Sequence, residues 1–210
     1  KPFLPMGNGG SLLQQTFARA AALPGVSEIL TVTGLELHAR TLMEYGKADA
    51  KERATSFILE PTGRNTAAAV AVAALQCARA YGEHAVMLVL PADHLIDNQQ
   101  AFAEAVGLAV LQAQQGKLVV FGILPTSART GYGYIDVGAN PVRFVEKPIL
   151  QKAEEFLRSG HHLWNSGMFC FKSGAVLREM KEHCPEIVAA AAFCMENSHS
   201  LERAASLCVE

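Results

Sequence analysis

The stretch Met87-Leu88-Val89-Leu90-Pro91-Ala92-Asp93-His94 decides the fold class. Four apolar residues run straight into a proline, and a run that short reads as a fully buried strand of a parallel sheet. Asp93 then falls just past the carboxyl end of that strand, where open α/β sheets bind their ligands. A carboxylate there has one obvious chemical use, holding a cation. Its plainer use is to cap the next helix, with Asp97 helping.

The flanking sequence alternates helix and strand. Ser11 caps an apolar-periodic helix through Leu23. Ile29 to Val32 is a β-branched strand, and Leu35 to Tyr45 reads as a helix. Phe57-Ile58-Leu59 is a strand that stops at Glu60-Pro61. An alanine-rich helix follows from Asn65 to Tyr81. Beyond the opening stretch come a helix from Phe102 to Gln115, ended by Gly116, and a strand from Leu118 to Leu124. This order predicts an α/β fold: a Rossmann-like mixed, mainly parallel sheet with right-handed crossovers and helices on both faces. After Pro125, Tyr132 to Val137 and Val142 to Lys147 alternate like strands with one wetter face. Helices then read at Ile149 to Ser159, Ser173 to His183 and Pro185 to Asn197. No repeat, low-complexity tract or linker interrupts the chain, which predicts one domain over residues 1–210.

The bulk composition narrows the partners. Half of the 210 residues are hydrophobic, 18% are charged and the formal net charge is -2. That balance gives no electrostatic reason to expect nucleic-acid or membrane-surface binding. No apolar segment is long enough to span a bilayer. Lys1-Pro2-Phe3-Leu4-Pro5 has neither the charged region nor the apolar core of a signal peptide. Cys77, Cys170, Cys184, Cys194 and Cys208 are scattered, with no pair at metal-ligand spacing. They read as reduced thiols in a cytoplasmic protein and argue against a structural zinc site. Both ends are abrupt, as in a piece of a longer protein.

Five phrases carry chemistry. Glu60-Pro61-Thr62-Gly63-Arg64-Asn65-Thr66 follows a strand and opens a helix. The free amides of such a helix start attract anions and polar heterocycle edges, and Asn65 offers both a donor and an acceptor. A plain capped helix fits the same residues. Pro91-Ala92-Asp93-His94 suits magnesium, which binds through one or two carboxylates plus substrate phosphates and disfavours imidazole. In Thr130-Gly131-Tyr132-Gly133-Tyr134, two glycines let the backbone approach a ligand, or mark a bulge. In Phe144-Val145-Glu146-Lys147-Pro148, neighbouring strand residues point to opposite faces. Glu146 and Lys147 therefore serve one site only if the strand ends at Pro148. There Glu146 can accept from sugar hydroxyls and Lys147 can neutralise a phosphate. A solvent-facing pair is the alternative. Trp164-Asn165-Ser166-Gly167-Met168-Phe169 is either a core aromatic with a turn or a sugar-binding edge.

Taken together and in this order, these phrases closely resemble the nucleotidyltransferase domain of the mannose-1-phosphate guanylyltransferases (GDP-mannose pyrophosphorylases). Ser11 to Thr16, Glu60 to Ala67, Pro91 to His94, Gly131 to Ile135, Phe144 to Pro148 and Trp164 to Phe169 carry the resemblance, which spans essentially the whole chain. It implies the nucleotide-diphospho-sugar transferase type of fold. It also implies Mg²⁺-dependent transfer of GMP from GTP to mannose 1-phosphate, giving GDP-mannose and pyrophosphate. By the same likeness, Asp93 holds magnesium and orients the nucleotide. Glu60, Gly63, Arg64, Asn65 and Thr66 lie along the guanine and ribose. Tyr132, Gly133 and Asn165 shape the mannose pocket, with Glu146 accepting mannose hydroxyls. Lys147 neutralises the sugar phosphate, and Lys1 contacts the transferring phosphates at the end of the family's signature loop. A homo-oligomer, most simply a dimer, is expected, and some family members carry a phosphomannose isomerase domain as well.

The chain departs from the family in three ways. The glycine-rich loop before Lys1 and a second metal-binding aspartate are not in the sequence, and Gly138 to Val142 is short. The 210 residues alone are therefore expected to be incomplete as an enzyme. Two alternatives remain: the same chemistry with another nucleotide and sugar, against which Arg64-Asn65-Thr66 argues, and a non-catalytic nucleotide-sugar sensor on the same fold. A dinucleotide-binding dehydrogenase is ruled out because no G-x-G-x-x-G follows a strand.

Overall fold

One long strand, β7 (His162–Lys172), organises the architecture, because β3 (Val86–Val89), β4 (Val119–Ile123) and β5 (Tyr134–Asp136) all pair with it. The computed structural model describes residues 1–7, 10–48, 53–63 and 65–198. A short β6 (Arg143–Val145) closes the edge of this five-stranded sheet beside β5. A second, two-stranded sheet joins β1 (Glu28–Gly34) to β2 (Ala54–Glu60) in parallel, from Glu28 opposite Ala54 to Gly34 opposite Glu60.

Both faces of the larger sheet are covered. Met168 and Cys170 of β7 face α4 (Gln99–Gln114), together with Leu88 and Phe121. The alternate residues Phe169 and Phe171, with Met87 and Val89, face α3 (Asn65–Tyr81), α6 (Ser173–His183) and α7 (Pro185–Glu196). Apolar side chains on both faces are what a strand between two helical layers requires. α3 also packs against β1 and so links the two sheets. Tyr134, Ala153 and Phe156 form a smaller cluster beneath α5 (Leu150–Ser159), with Trp164 packed against it. Over the small sheet lie α1 (Leu12–Ala21) and α2 (His38–Lys47), where Phe17 stacks on Tyr45 at 3.9 Å. Ser11 caps α1 in a capping box with Gln14, an arrangement that stabilises a helix start by about 1 kcal/mol.

The α/β class and the helices on both faces agree with the sequence reading, but the sheet is not mainly parallel. The only parallel pairing among the described residues is β1 with β2, whereas β3, β4 and β5 run antiparallel to β7. β7 runs opposite to all three and serves as their common partner. The Val86–Val89 strand is likewise half-buried rather than fully buried, and its described partner is β7. Helix α2 begins later than expected, because Leu35–Leu37 forms a 3-10 turn.

Four of the cysteines are described, and all are free thiols. No helix among the described residues is long and apolar enough to cross a membrane. Burial pushes the Cys170 thiol up to about 11, so it stays protonated and shielded, while Cys194 is exposed. Iodoacetamide treatment of the native protein near about pH 8 should label Cys194 and spare Cys170. Peptide mass mapping checks this, and equal labelling of the two contradicts the packing of α4 over β7.

Candidate active site at the fork of the central strand

The two halves of β7 have different neighbours. Residues 169–172 pair with β3, residues 162–164 pair with β5, and β4 follows along the other edge. Val120 faces Phe169 and Gly122 faces Asn165, so Ser166, Gly167 and Met168 all stand opposite the single residue Phe121. Such a bulge bends a strand and re-aims its side chains. The Ser166 hydroxyl donates to the Phe121 carbonyl at 2.6 Å and accepts from the Met168 N–H at 3.1 Å, which fixes the bulge. β3 and β5 diverge here, and Tyr132, Gly133, Glu146, Lys147, Asn165 and the Asp93 turn gather around this fork.

On the β5 side, Asn165 N–H donates to the Gly133 carbonyl at 2.8 Å. Asn165 Oδ1 accepts from Gly167 N–H at 3.0 Å, so the side-chain Nδ2 is left free to donate outward. A Cβ placed on Gly133 would sit 2.8 Å from Glu146 Oε2 and 3.5 Å from Asn165 Cβ, so a side chain here would push the Glu146 carboxylate aside. Tyr132 meets Trp164 edge-on at 5.2 Å. Lys147 has φ +41°, outside strand geometry. That turn resolves the face problem, because Glu146 Oε1 and Lys147 Nζ come within 3.3 Å of each other. Both are well exposed, and an exposed pair contributes at most about 1 kcal/mol. Both groups are thus cheaply available to a ligand.

On the β3 side, Pro91 Cγ lies 3.5 Å from where a Cβ on Gly167 would be, and Gly167 has φ +69°. The Pro91–Asp93 turn therefore rests on the bulge. Asp93 is half-buried, and its carboxylate has no hydrogen bond or ion pair among the described residues. An unengaged, half-buried oxygen donor at a strand end fits a magnesium ligand. Beneath the turn lies Arg19, which is 5% exposed. Its Nη2 donates to Thr16 Oγ1 at 3.0 Å and reaches the His94 carbonyl at 3.4 Å, while Nε and Nη1 are without partners. Burial holds the His94 imidazole below its usual range, and Arg19 adds to this while Asp93 opposes it.

The remaining residues occupy the ends of β2 and α1. Glu60 closes β2, where burial raises its carboxyl above the usual range. Gly63, Asn65 and Thr66 are exposed at the start of α3, with Asn65 at φ +67°. Arg64 lies outside the described residues. Lys1 is exposed, and its carbonyl accepts from Leu4 N–H just before α1. Described contacts thus join Tyr132, Gly133, Glu146, Lys147 and Asn165 to one another, and the Asp93 turn to them through Gly167. None joins Lys1 or the Glu60–Thr66 segment to that group. Arg19, Ser166 and Gly167 were missed as support for the site. Glycine next to serine inside an apolar strand was the available signal for a bulge.

The helix-covered α/β fold is of the nucleotide-diphospho-sugar transferase type, as its likeness to solved structures shows. The chain belongs to the nucleotidyl transferase family, whose model matches residues 1–205. It is 43% identical over 196 residues to the xanthan biosynthesis protein XanB of Xanthomonas campestris, covering 89% of this chain and 40% of that protein. It is 40% identical over 200 residues to a mannose-1-phosphate guanylyltransferase of Escherichia coli, covering 90% of this chain and 42% of that one. A solved structure described as a mannose-6-phosphate isomerase from Helicobacter pylori superposes with a TM-score of 0.84 at 37% identity, covering 93% of this chain and 76% of that one. The chain spans about 40% of the length of the curated relatives it matches.

A left-handed lysine costs about 1–2 kcal/mol. Lys147→Gly should therefore raise stability to urea, by up to about 1 kcal/mol after the glycine's greater unfolded-state freedom is subtracted. A loss of stability instead shows that Lys147 is not strained.

Proposed function

We propose that the full-length protein transfers GMP from GTP to mannose 1-phosphate, releasing pyrophosphate and forming GDP-mannose. The observation that carries this reading is the convergence of Gly133, Glu146, Lys147 and Asn165 at the fork, one glycine away from the Asp93 turn. A carboxylate acceptor, an amide donor and an ammonium around an open glycine suit a sugar phosphate. The names of the relatives at about 40% identity support mannose 1-phosphate and guanine as the particular pair.

In the proposed reaction, a phosphate oxygen of mannose 1-phosphate forms a bond to the nucleotide α-phosphorus. The bond to the bridging oxygen breaks on the opposite side, and pyrophosphate leaves with that electron pair. The residues of the chain act by positioning and by neutralising charge. Glu146 accepts mannose hydroxyls and Asn165 Nδ2 donates to them, while Tyr132 and Gly133 bound the pocket. Lys147 neutralises the sugar phosphate, and Lys1 contacts the transferring phosphates. Glu60, Gly63, Arg64, Asn65 and Thr66 lie along the ribose and guanine. Asp93 would hold magnesium, which when bound offsets the repulsion between the anionic nucleophile and the triphosphate. The protein works in the cytoplasm as a homo-oligomer, most simply a dimer, with residues 1–210 forming its nucleotidyltransferase domain.

Pyrophosphate release by the full-length protein, with GTP set against other nucleoside triphosphates and mannose 1-phosphate against other sugar phosphates, tests the reading. GTP with mannose 1-phosphate should be preferred. Turnover only with another pair overturns the specificity, and no turnover with any pair favours a sensor. Asp93→Ala should lower kcat by at least about 10²-fold with the fold intact. Full activity in that variant removes Asp93 from the chemistry. Gly133→Ala should raise KM for the sugar phosphate more than KM for the nucleotide, because the new methyl displaces Glu146. Equal effects on both would place Gly133 outside the sugar pocket.

A further inference from the structure

On the opposite end of β5 from the fork, three side chains point their acceptor atoms at one spot. Asp136 and His162 are direct cross-strand partners, Asp136 on β5 and His162 on β7. His162 Nε2 is 3.7 Å from Asp136 Oδ2, and His161 Nε2 is 4.0 Å from Asp136 Oδ1. All three ligand atoms lie within 4.8 Å of one another. The hydrogen bonds around them fix both ring tautomers. His161 Nδ1 faces the Ser159 carbonyl at 3.0 Å, and a carbonyl can only accept, so that nitrogen carries the proton. Ser159 Oγ spends its own proton on the Phe156 carbonyl at 2.7 Å, so it can only accept from His162 Nδ1, also at 2.7 Å. With Nδ1 carrying a proton, each ring turns its Nε2 toward the Asp136 carboxylate, whose Oδ1 also accepts from Gly138 N–H.

Two imidazole nitrogens and a carboxylate gathered this closely suit a cation. A proton is one candidate, but His162 is only 8% exposed and is stacked on Phe156 at 3.9 Å, where an imidazolium is poorly solvated. Orientation of a ring through Nδ1 while Nε2 faces outward is how histidine ligands are held in metal sites. Two imidazoles and one carboxylate select zinc and its neighbours over magnesium or calcium, and a fourth position would be left to water, as in open zinc sites. We propose that Asp136, His161 and His162 form a binding site for one divalent transition-metal ion of the zinc class. The site is distinct from Asp93 and ties β5, β7 and the end of α5 together. Arg143, opposite Asp136 on β6, and Lys152 on α5 line the adjoining cleft of ≈ 350 Å³. Their charge limits the affinity and confines the ion to the histidine side.

The test uses the full-length protein, stripped of metal with a chelator and titrated with Zn²⁺ against a chromogenic competitor. His161 is half-exposed, with 52% of its side chain accessible, so His161→Ala should fold. Asp136→Asn keeps an acceptor for the Gly138 N–H, which bonds Oδ1 at 3.0 Å. The wild type should bind one Zn²⁺ at this site and gain thermal stability from it. His161→Ala and Asp136→Asn should each weaken binding by more than about tenfold and lose the thermal shift. His183→Ala, in the exposed Glu179, Glu182 and His183 group on α6, should change neither. Co²⁺ substitution should give the intense visible bands of a low-coordinate site in the wild type alone of the wild type and the two site variants. Absence of Zn²⁺ binding in the wild type, unchanged binding in both site variants, or loss of binding in His183→Ala overturns the proposal.

Discussion

The hydrogen bond from Ser166 to the Phe121 carbonyl holds the feature on which the rest of the site depends. Three residues of β7 stand opposite one residue of β4, and the Ser166 hydroxyl fills the gap in the ladder. Such a bond contributes only about 1 kcal/mol net, but leaving the carbonyl buried and unpaired would cost about 1–3 kcal/mol. With the bulge fixed, β3 and β5 part on the other edge of β7. Gly167, in a left-handed conformation, lies against Pro91 and so seats the Asp93 turn. Asn165, held by Gly167 and Gly133, leaves its Nδ2 beside the same glycine that Glu146 approaches. A local irregularity in one strand thereby brings together residues from positions 91, 133, 146 and 165.

The elements themselves were largely legible in the sequence, because hydrophobic period and punctuation act locally. Ser11, Pro61, Gly116 and Pro185 mark boundaries that the structure keeps to within a few residues. Strand direction was not legible. The alternation of strand and helix up to Leu124 implied parallel crossovers, and nothing local revealed that a later strand would run back between β3 and β4. β7 itself was disguised, since Asn165-Ser166-Gly167 in an apolar stretch reads equally as a turn. Pairing across some eighty residues outweighed that local signal, and the bulge absorbed the polar residues.

The site was more legible than the sheet. Gly133, Glu146 and Lys147 stood out only in company with the other phrases, since each alone reads as well as a bulge or a solvent-facing pair. Pro148 hinted that the strand ends there, and the left-handed Lys147 is how the chain brings two neighbouring side chains to one side. The supporting residues did not stand out. Arg19 lies inside an ordinary amphipathic helix, and its link to the His94 carbonyl spans 75 positions. The His161-His162 pair was equally silent, because its partners Asp136 and Ser159 come from a neighbouring strand and a helix end.

Strain and exposure at the fork fit a surface built to receive a ligand. Lys147 keeps an unfavourable backbone angle, Glu146 and Lys147 hold each other weakly, and Asp93 has no described partner. Each would be costly or idle in a purely structural role. A crystal structure of the full-length protein with GDP-mannose and Mg²⁺ tests the central claim most directly. The account predicts mannose hydroxyls against Glu146 and Asn165, the diphosphate beside the Asp93 turn, and guanine along residues 63–66. A sugar bound away from the fork, with Glu146 and Asn165 untouched, would contradict it.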